Sequence, residues 1–201
     1  MSTPELVINE ITPFTTSIYQ ANLPIDTAVV NNILTLQQDP TNYKLASNQG
    51  GWHSKVYSSS DLDTDVSVGF IKNSIAQLLP IAQVIYTSLG INKPVKIDGF
   101  WFMVNDRNSY NKLHNHPGSW LSGVLYLKTP TNSGKINFER PDLMYDYLDI
   151  DQITDKSVPE YFWNPKVGDF LLFPSYLKHY VDQNLSTDSD SSRVCIAINF
   201  R

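Results

Sequence analysis

The chain has 201 residues, 41% of them hydrophobic and 17% charged, which is a globular composition and suits one domain with a sizeable core. With 20 acidic against 15 basic residues the net charge is −5, which argues against a nucleic-acid partner held through phosphates. A single cysteine, Cys195, excludes an internal disulfide framework; no apolar run reaches membrane-spanning length and residues 1–10 lack the apolar stretch of a signal peptide, so a cytoplasmic protein with no membrane contact is expected.

Residues 5–20 alternate loosely and read as a short opening strand. Asp26 suits the N-cap of a helix over residues 27–38, ended by Asp39-Pro40. A polar loop follows, in which Gly50-Gly51 precede Trp52-His53-Ser54. Residues 65–89 carry apolar side chains at helical spacing; Pro80 should kink or split that helix, and Gly90 should stop it. From residue 95 the texture changes. Short β-branched or apolar runs at 95–104, 121–127, 135–139, 169–173 and 194–200 are bounded by Gly, Pro, Asn and Asp, and read as strands. Helices followed by many short strands predict an α+β chain: a helical part over about 1–94, then a β-sandwich or barrel core over about 95–201, in one domain. The aromatic, acidic stretch 141–164 has no period and reads as a long loop of the kind that covers a site.

The chain has four histidines, His53, His114, His116 and His179. His114-Asn115-His116 stands at the start of a predicted strand, where side chains at i and i+2 share a face, so two imidazoles can meet one metal ion. His179 follows the apolar run Gly168-Asp169-Phe170-Leu171-Leu172-Phe173-Pro174 and supplies a third imidazole from a distant segment, a donor set that suits Fe, Zn, Cu or Ni. The plainer reading of His114 and His116 is a pair of exposed loop residues. Arg193 opens the last predicted strand. By period two it shares one face with Cys195, Ala197 and Asn199, while Val194, Ile196, Ile198 and Phe200 form an apolar face. A guanidinium on a lumen face could grip a carboxylate in bidentate fashion; at a strand edge it would only be solvated. His53 reads as a surface residue, or one standing behind the ligands, rather than as a ligand.

Residues 114–126 (His114-Asn115-His116-Pro117-Gly118-Ser119-Trp120-Leu121-Ser122-Gly123-Val124-Leu125-Tyr126) and 168–179, with Arg193, Asn199 and the upstream Gly51-Trp52-His53-Ser54, make the chain resemble the Fe(II)- and 2-oxoglutarate-dependent oxygenase superfamily, in particular a bacterial and phage branch. The resemblance spans roughly residues 50–201. It implies a double-stranded β-helix (jelly-roll, cupin-like) core with the helices packed on its outer sheet. It implies Fe(II), 2-oxoglutarate and O2 as cofactor and co-substrates. It further implies His114 and His179 as metal ligands and Arg193 as the clamp on the far carboxylate. Most relatives have Asp or Glu where His116 stands, so either three imidazoles hold the iron or an acid such as Asp106 substitutes. Tyr126 and Ser122 share a strand face with Val124, and with Asn199 are candidates for binding the co-substrate; Tyr126 could equally be a packed aromatic. Trp101 and Asn105 lie on another candidate inner face.

The expected activity is hydroxylation of a small-molecule or peptide substrate that the sequence does not identify, and a homodimer is left open. A cupin-type metal enzyme is the first alternative, although the Glu its first motif expects is replaced by Trp120, Leu121 and Ser122. A non-catalytic metal-bearing binding protein is the second. A zinc hydrolase is weaker for want of a Glu beside the histidines.

Overall fold

A computed structural model describes residues 15–142, 149 and 158–201. Within them two antiparallel sheets face each other, and the helices cover the outside of the larger one. The larger sheet runs β1 (Tyr19–Asn22), β9 (Asp169–Pro174), β6 (Leu121–Lys128), β11 (Arg193–Phe200), β4 (Ile97–Asn105) and β3 (Trp52–His53). The smaller runs β2 (Asn48–Gln49), β5 (Tyr110–His114), β10 (His179–Val181), β7 (Ile136–Glu139) and β8 (Glu160–Trp163). This is the double-stranded β-helix expected from the sequence.

β11 shows how the alternation builds the layers. Val194, Ile196, Ile198 and Phe200 join an apolar cluster with Val29, Val30 and Ile33 of α1 (Thr27–Leu36) and Ile75, Leu78, Ala82, Ile85 and Tyr86 of α3 (Lys72–Ser88). Cys195, on the opposite face, packs between the sheets with Val124, Tyr126, Ile136, Phe138, Leu171, Phe173 and Val181. The helices therefore fix the larger sheet from outside and leave its inner face free to line a site.

Asp26 caps α1 as expected, its side chain accepting from the Ala28 N–H at 2.9 Å. The second helix differs from expectation. Residues 61–71 form the short helix α2 (Asp61–Thr64) and a 3-10 turn (Gly69–Ile71), so the break falls before Lys72, and α3 runs on through Pro80. The apolar face of α3 is anchored on the sheet, and that packing outweighs the one backbone hydrogen bond a proline forfeits. Gly90 stops α3 at φ +76, with Gly90 N–H bonded to Thr87 O and Ile91 N–H to Tyr86 O, a Schellman motif.

The opening strand is confined to Tyr19–Asn22 among the described residues. The stretch read as one long loop contains β8, paired with β7 from Ile136↔Trp163 to Glu139↔Glu160; Tyr145 and Tyr147 lie outside the described residues. The helical first part also contributes β1, β2 and β3 to the sheets, so the two parts share one core. Among the described residues no helix is long and apolar enough to cross a membrane.

Candidate metal centre and cavity

The two His-bearing segments meet across the smaller sheet. His179 opens β10 and is the cross-strand partner of His114, the last residue of β5. His-x-His therefore ends a strand instead of starting one. His116 sits in the turn that follows, its N–H donating to Ser175 O at 2.9 Å. The convergence comes from that anchored turn and not from a shared strand face. The ring centroids of His114 and His179 are 4.3 Å apart, and His116 stands 5.1 Å from each.

All three rings offer a nitrogen within 4.8 Å of the others. The Nδ1–H of His114 is donated to Lys112 O at 2.7 Å, and that of His179 to Leu177 O at 3.0 Å. A carbonyl can only accept, so in each neutral ring the lone pair is on Nε2. The Nε2 atoms of His116 and His179 are 3.3 Å apart. Two imidazoles at about 2.1 Å from one ion, roughly at right angles, place their nitrogens about 3 Å apart, so the pair fits a shared metal. Burial, reinforced by the neighbouring imidazoles, pushes His116 down to about 4 and His179 to about 3; burial also lowers His114. The three are thus neutral near pH 7, the form a metal needs.

These histidines line a cavity of about 620 Å3 that also takes in Trp101, Tyr126, Arg193, Cys195, Ala197 and Asn199. Arg193 is 2% exposed. Its Nη1 donates to Ser133 O and, at 3.5 Å, to Gly134 O, and no carboxylate pairs with it among the described residues. Gly134, at φ +94, leaves the guanidinium its space: a Cβ there would lie 2.9 Å from Nη1 and 2.4 Å from Asp182 O. Tyr126 is buried in the cavity wall, and burial pushes its phenol up.

The other predicted residues divide. Asn199 lines the cavity, whereas Ser122 does not. The Ser122 hydroxyl donates to Asn199 Oδ1 at 2.9 Å and shares a 2.8 Å bond with Ser175 Oγ, and so braces the residue that holds His116. Asp106 stands outside the cavity and accepts from Ser192 Oγ at 2.6 Å. Asn105 is buried, bonded through Nδ2 to Asn111, and outside the cavity lining. Trp163 binds Asp169 through its indole N–H at 2.9 Å, away from the cavity. His53 is buried on the cavity wall outside the histidine cluster, which excludes the surface reading and fits the alternative of a residue behind the ligands; its ring stacks on Trp101 at 5.6 Å, and Trp101 lies 5.5 Å from His116. The signal was Gly50-Gly51. Gly50 adopts φ +73, and a Cβ on Gly51 would come within 2.7 Å of Asn105 Oδ1, so this pair lets the turn from β2 to β3 cross between the sheets close against β4 and β5.

A family model described as "Putative 2OG-Fe(II) oxygenase" matches residues 99–199. No curated protein sequence matches the chain. Among solved structures, the chain is similar to a Pseudomonas putida prolyl-4-hydroxylase, at 14% identity over 93% of each chain with a TM-score of 0.64. It is similar to a Trichoplax adhaerens prolyl hydroxylase in complex with a hypoxia inducible factor peptide fragment, at 16% identity over 91% of this chain and 82% of that one, TM-score 0.60. It is also similar to HygX from Streptomyces hygroscopicus with nickel and 2-oxoglutarate bound, at 13% identity over 92% and 83%, TM-score 0.57. At these identities the likeness establishes the fold.

Proposed function

The chain belongs to the 2OG-Fe(II) oxygenase family, an enzyme family that uses Fe(II), 2-oxoglutarate and O2, and from that premise we propose that His114, His116 and His179 hold the iron and Arg193 the distal carboxylate of 2-oxoglutarate. The observation that carries this reading is the pairing of two features in one cavity: imidazole nitrogens converging without an acid among them, and a buried guanidinium without a carboxylate partner among the described residues. A cupin-type metal site would not call for that arginine.

Held there by the three imidazoles and Arg193, iron and 2-oxoglutarate would supply a site at which O2, the oxidant, converts the 2-oxo acid to succinate and carbon dioxide with one of its oxygen atoms and delivers the other to a substrate C–H bond. The protein's residues bind and orient. The Nδ1–H bonds of His114 and His179 set their tautomers, and the chain of Asn199, Ser122 and Ser175 steadies the backbone at His116. The carbonyls of Ser133 and Gly134 hold Nη1 of Arg193, which leaves Nη2 and Nε for a dicarboxylate. Tyr126 and Asn199 are the side chains we assign to further hydrogen bonds with the co-substrate. Val124, Ile136, Phe173 and Val181 keep that part of the cavity dry.

His116 is favoured over Asp106 as the remaining ligand because Asp106 lies outside the cavity lining and is occupied by Ser192. Three neutral ligands leave the ion its full double positive charge, which strengthens its hold on an anionic 2-oxo acid. We place the whole chain in one oxygenase domain. The test is anaerobic Fe(II) binding and aerobic succinate release from 2-oxoglutarate. Wild type should do both, and His116→Ala should weaken metal binding at least tenfold; unchanged binding in that variant removes His116 from the ligand set.

A further inference from the structure

His53 meets the same structural conditions as the proposed metal ligands, yet it stands apart from them. It is 4% exposed, lines the cavity, and donates its Nδ1–H to its neighbour's carbonyl, Ser54 O, at 2.6 Å. Burial holds the ring below the ordinary imidazole value, so it is neutral and its Nε2 carries a lone pair. That nitrogen has no hydrogen-bond partner among the described residues, and His53 is outside the cluster of His114, His116 and His179. An acceptor on a cavity wall that no protein group occupies is open to a donor from whatever fills the cavity. The 2-oxoglutarate dianion has only acceptors, so a donor other than water would come from another molecule.

The charges around His53 describe that molecule further. The cavity is lined by Lys44, Lys112 and Arg193 against one carboxylate, Asp98, among the described residues. Asp98 is already engaged by Ser119 Oγ at 2.6 Å and Arg201 Nη2 at 3.4 Å. Neither Lys44 nor Lys112 forms an ion pair among the described residues. Their backbones are fixed at the rim: Lys44 N–H donates to His53 O at 2.8 Å and Lys112 N–H to Ser47 O at 2.9 Å. A divalent ion on three neutral imidazoles, with Arg193, outweighs one dianion by a full positive charge, and the two lysines add to it. The cavity is cationic inside a protein of net charge −5.

We propose that the prime substrate is a small anion, a carboxylate or phosphate, that also carries a hydroxyl or N–H group: Lys44 and Lys112 seat the anion and His53 Nε2 accepts the donor. His53 is then a positioning residue at the substrate. This rests on the oxygenase reading, and its test separates the two.

The Fe(II)-loaded full chain is assayed for succinate release from 2-oxoglutarate, first alone and then with a small-metabolite extract split on a strong anion exchanger. Release without extract tests the oxygenase reading by itself; its absence would remove that reading and this inference together. Given that release, the retained fraction should stimulate it and the flow-through should not. Phosphatase treatment of the retained fraction then tells a phosphate from a carboxylate. His53→Phe keeps a ring on Trp101 but removes the lone pair, and should raise the amount needed for half-maximal stimulation at least tenfold. His53→Gln, which offers an acceptor oxygen, should recover most of the loss. The double variant K44Q/K112Q should show a similar loss that grows as salt is lowered, with thermal melts confirming that each variant folds. Stimulation by the flow-through alone, by neither fraction, or by the retained fraction equally in wild type and all variants overturns the proposal.

Discussion

Replacing Arg193 separates a ligand clamp from a structural arginine, because the two roles predict opposite outcomes. Arg193 is buried, its Nη1 rests on two carbonyls, and no carboxylate neutralises it among the described residues. A buried cation in that condition is held at a cost, and an incoming carboxylate offsets it. Truncating one member of a buried, hydrogen-bonded charge pair costs about 2–5 kcal/mol. With one nitrogen already committed to the protein, the middle of that range applies: about 3 kcal/mol, or roughly 150-fold in the Kd of 2-oxoglutarate. Arg193→Met should therefore bind 2-oxoglutarate roughly two orders of magnitude more weakly in an anaerobic calorimetric titration of the Fe(II)-loaded protein. The same variant should unfold within about 1 kcal/mol of wild type, since it exchanges an uncompensated charge and two carbonyl contacts for an apolar side chain. The reverse pattern, unchanged 2-oxoglutarate affinity with a large loss of stability, would refute the clamp.

Gly134→Ala should reach the same binding step without touching Arg193: the added Cβ would lie 2.9 Å from Nη1 and 2.4 Å from Asp182 O at a φ of +94, so we expect both a lower Tm and weaker 2-oxoglutarate binding by calorimetry, and unaltered binding would mean that the guanidinium has room to spare. Asp169 accepts from Trp163 Nε1 and Lys166 N–H, each at 2.9 Å, and from Gln20 Nε2 at 3.1 Å, so Asp169→Ala should cost about 3 kcal/mol in urea unfolding. Burial alone would raise that carboxyl, but the hydrogen bonds outweigh it and hold it below its usual 3.8. Its stabilisation is accordingly complete above that value and lost as pH falls through the lower folded one, and the variant should show a flatter acid limb. Cys195 is lifted by burial to about 11, partly offset by the charge of Arg193, so native protein at pH 8 should alkylate at least roughly 100-fold more slowly than a free thiol; rapid native labelling would contradict its placement.

Much of the fold was legible because it depends on patterns a single strand carries. In β11 the alternation of Val194, Ile196, Ile198 and Phe200 with Arg193, Cys195, Ala197 and Asn199 separates the helix-packed face from the cavity face, as the residues imply. The strands that escaped notice are short or polar. Asn48–Gln49 has two residues, His179–Val181 has three, and Tyr110–His114 alternates around polar side chains. They exist because neighbours pair with them, and pairing between distant segments leaves no local periodicity. Pro80 shows the converse: the split it allows does not occur, because an apolar helix face is already committed to the sheet.

The site was legible in residue type more than in geometry. Three histidines and an arginine suggest a metal and a carboxylate, and those four residues line one cavity. The reason given for their meeting was only half right. His114 and His179 are cross-strand partners, which a motif search cannot see, and His116 joins them through the turn that Ser175 anchors. Ser122 carried the right chemistry for a ligand contact but spends its hydroxyl on Ser175 and Asn199, because at its register the sheet places those side chains beside it. Of the two readings of His53, a surface residue or one standing behind the ligands, the structure excludes the first: the paired glycines let its loop close against the sheet, and the imidazole lines the cavity outside the histidine cluster. In each case the residue's chemistry was readable from the sequence and its partner was not. What a polar side chain does in this cavity is decided by whether the fold has already given its lone pairs and hydrogens a partner, and on that measure Arg193 and His53, unlike Ser122, keep capacity for a ligand.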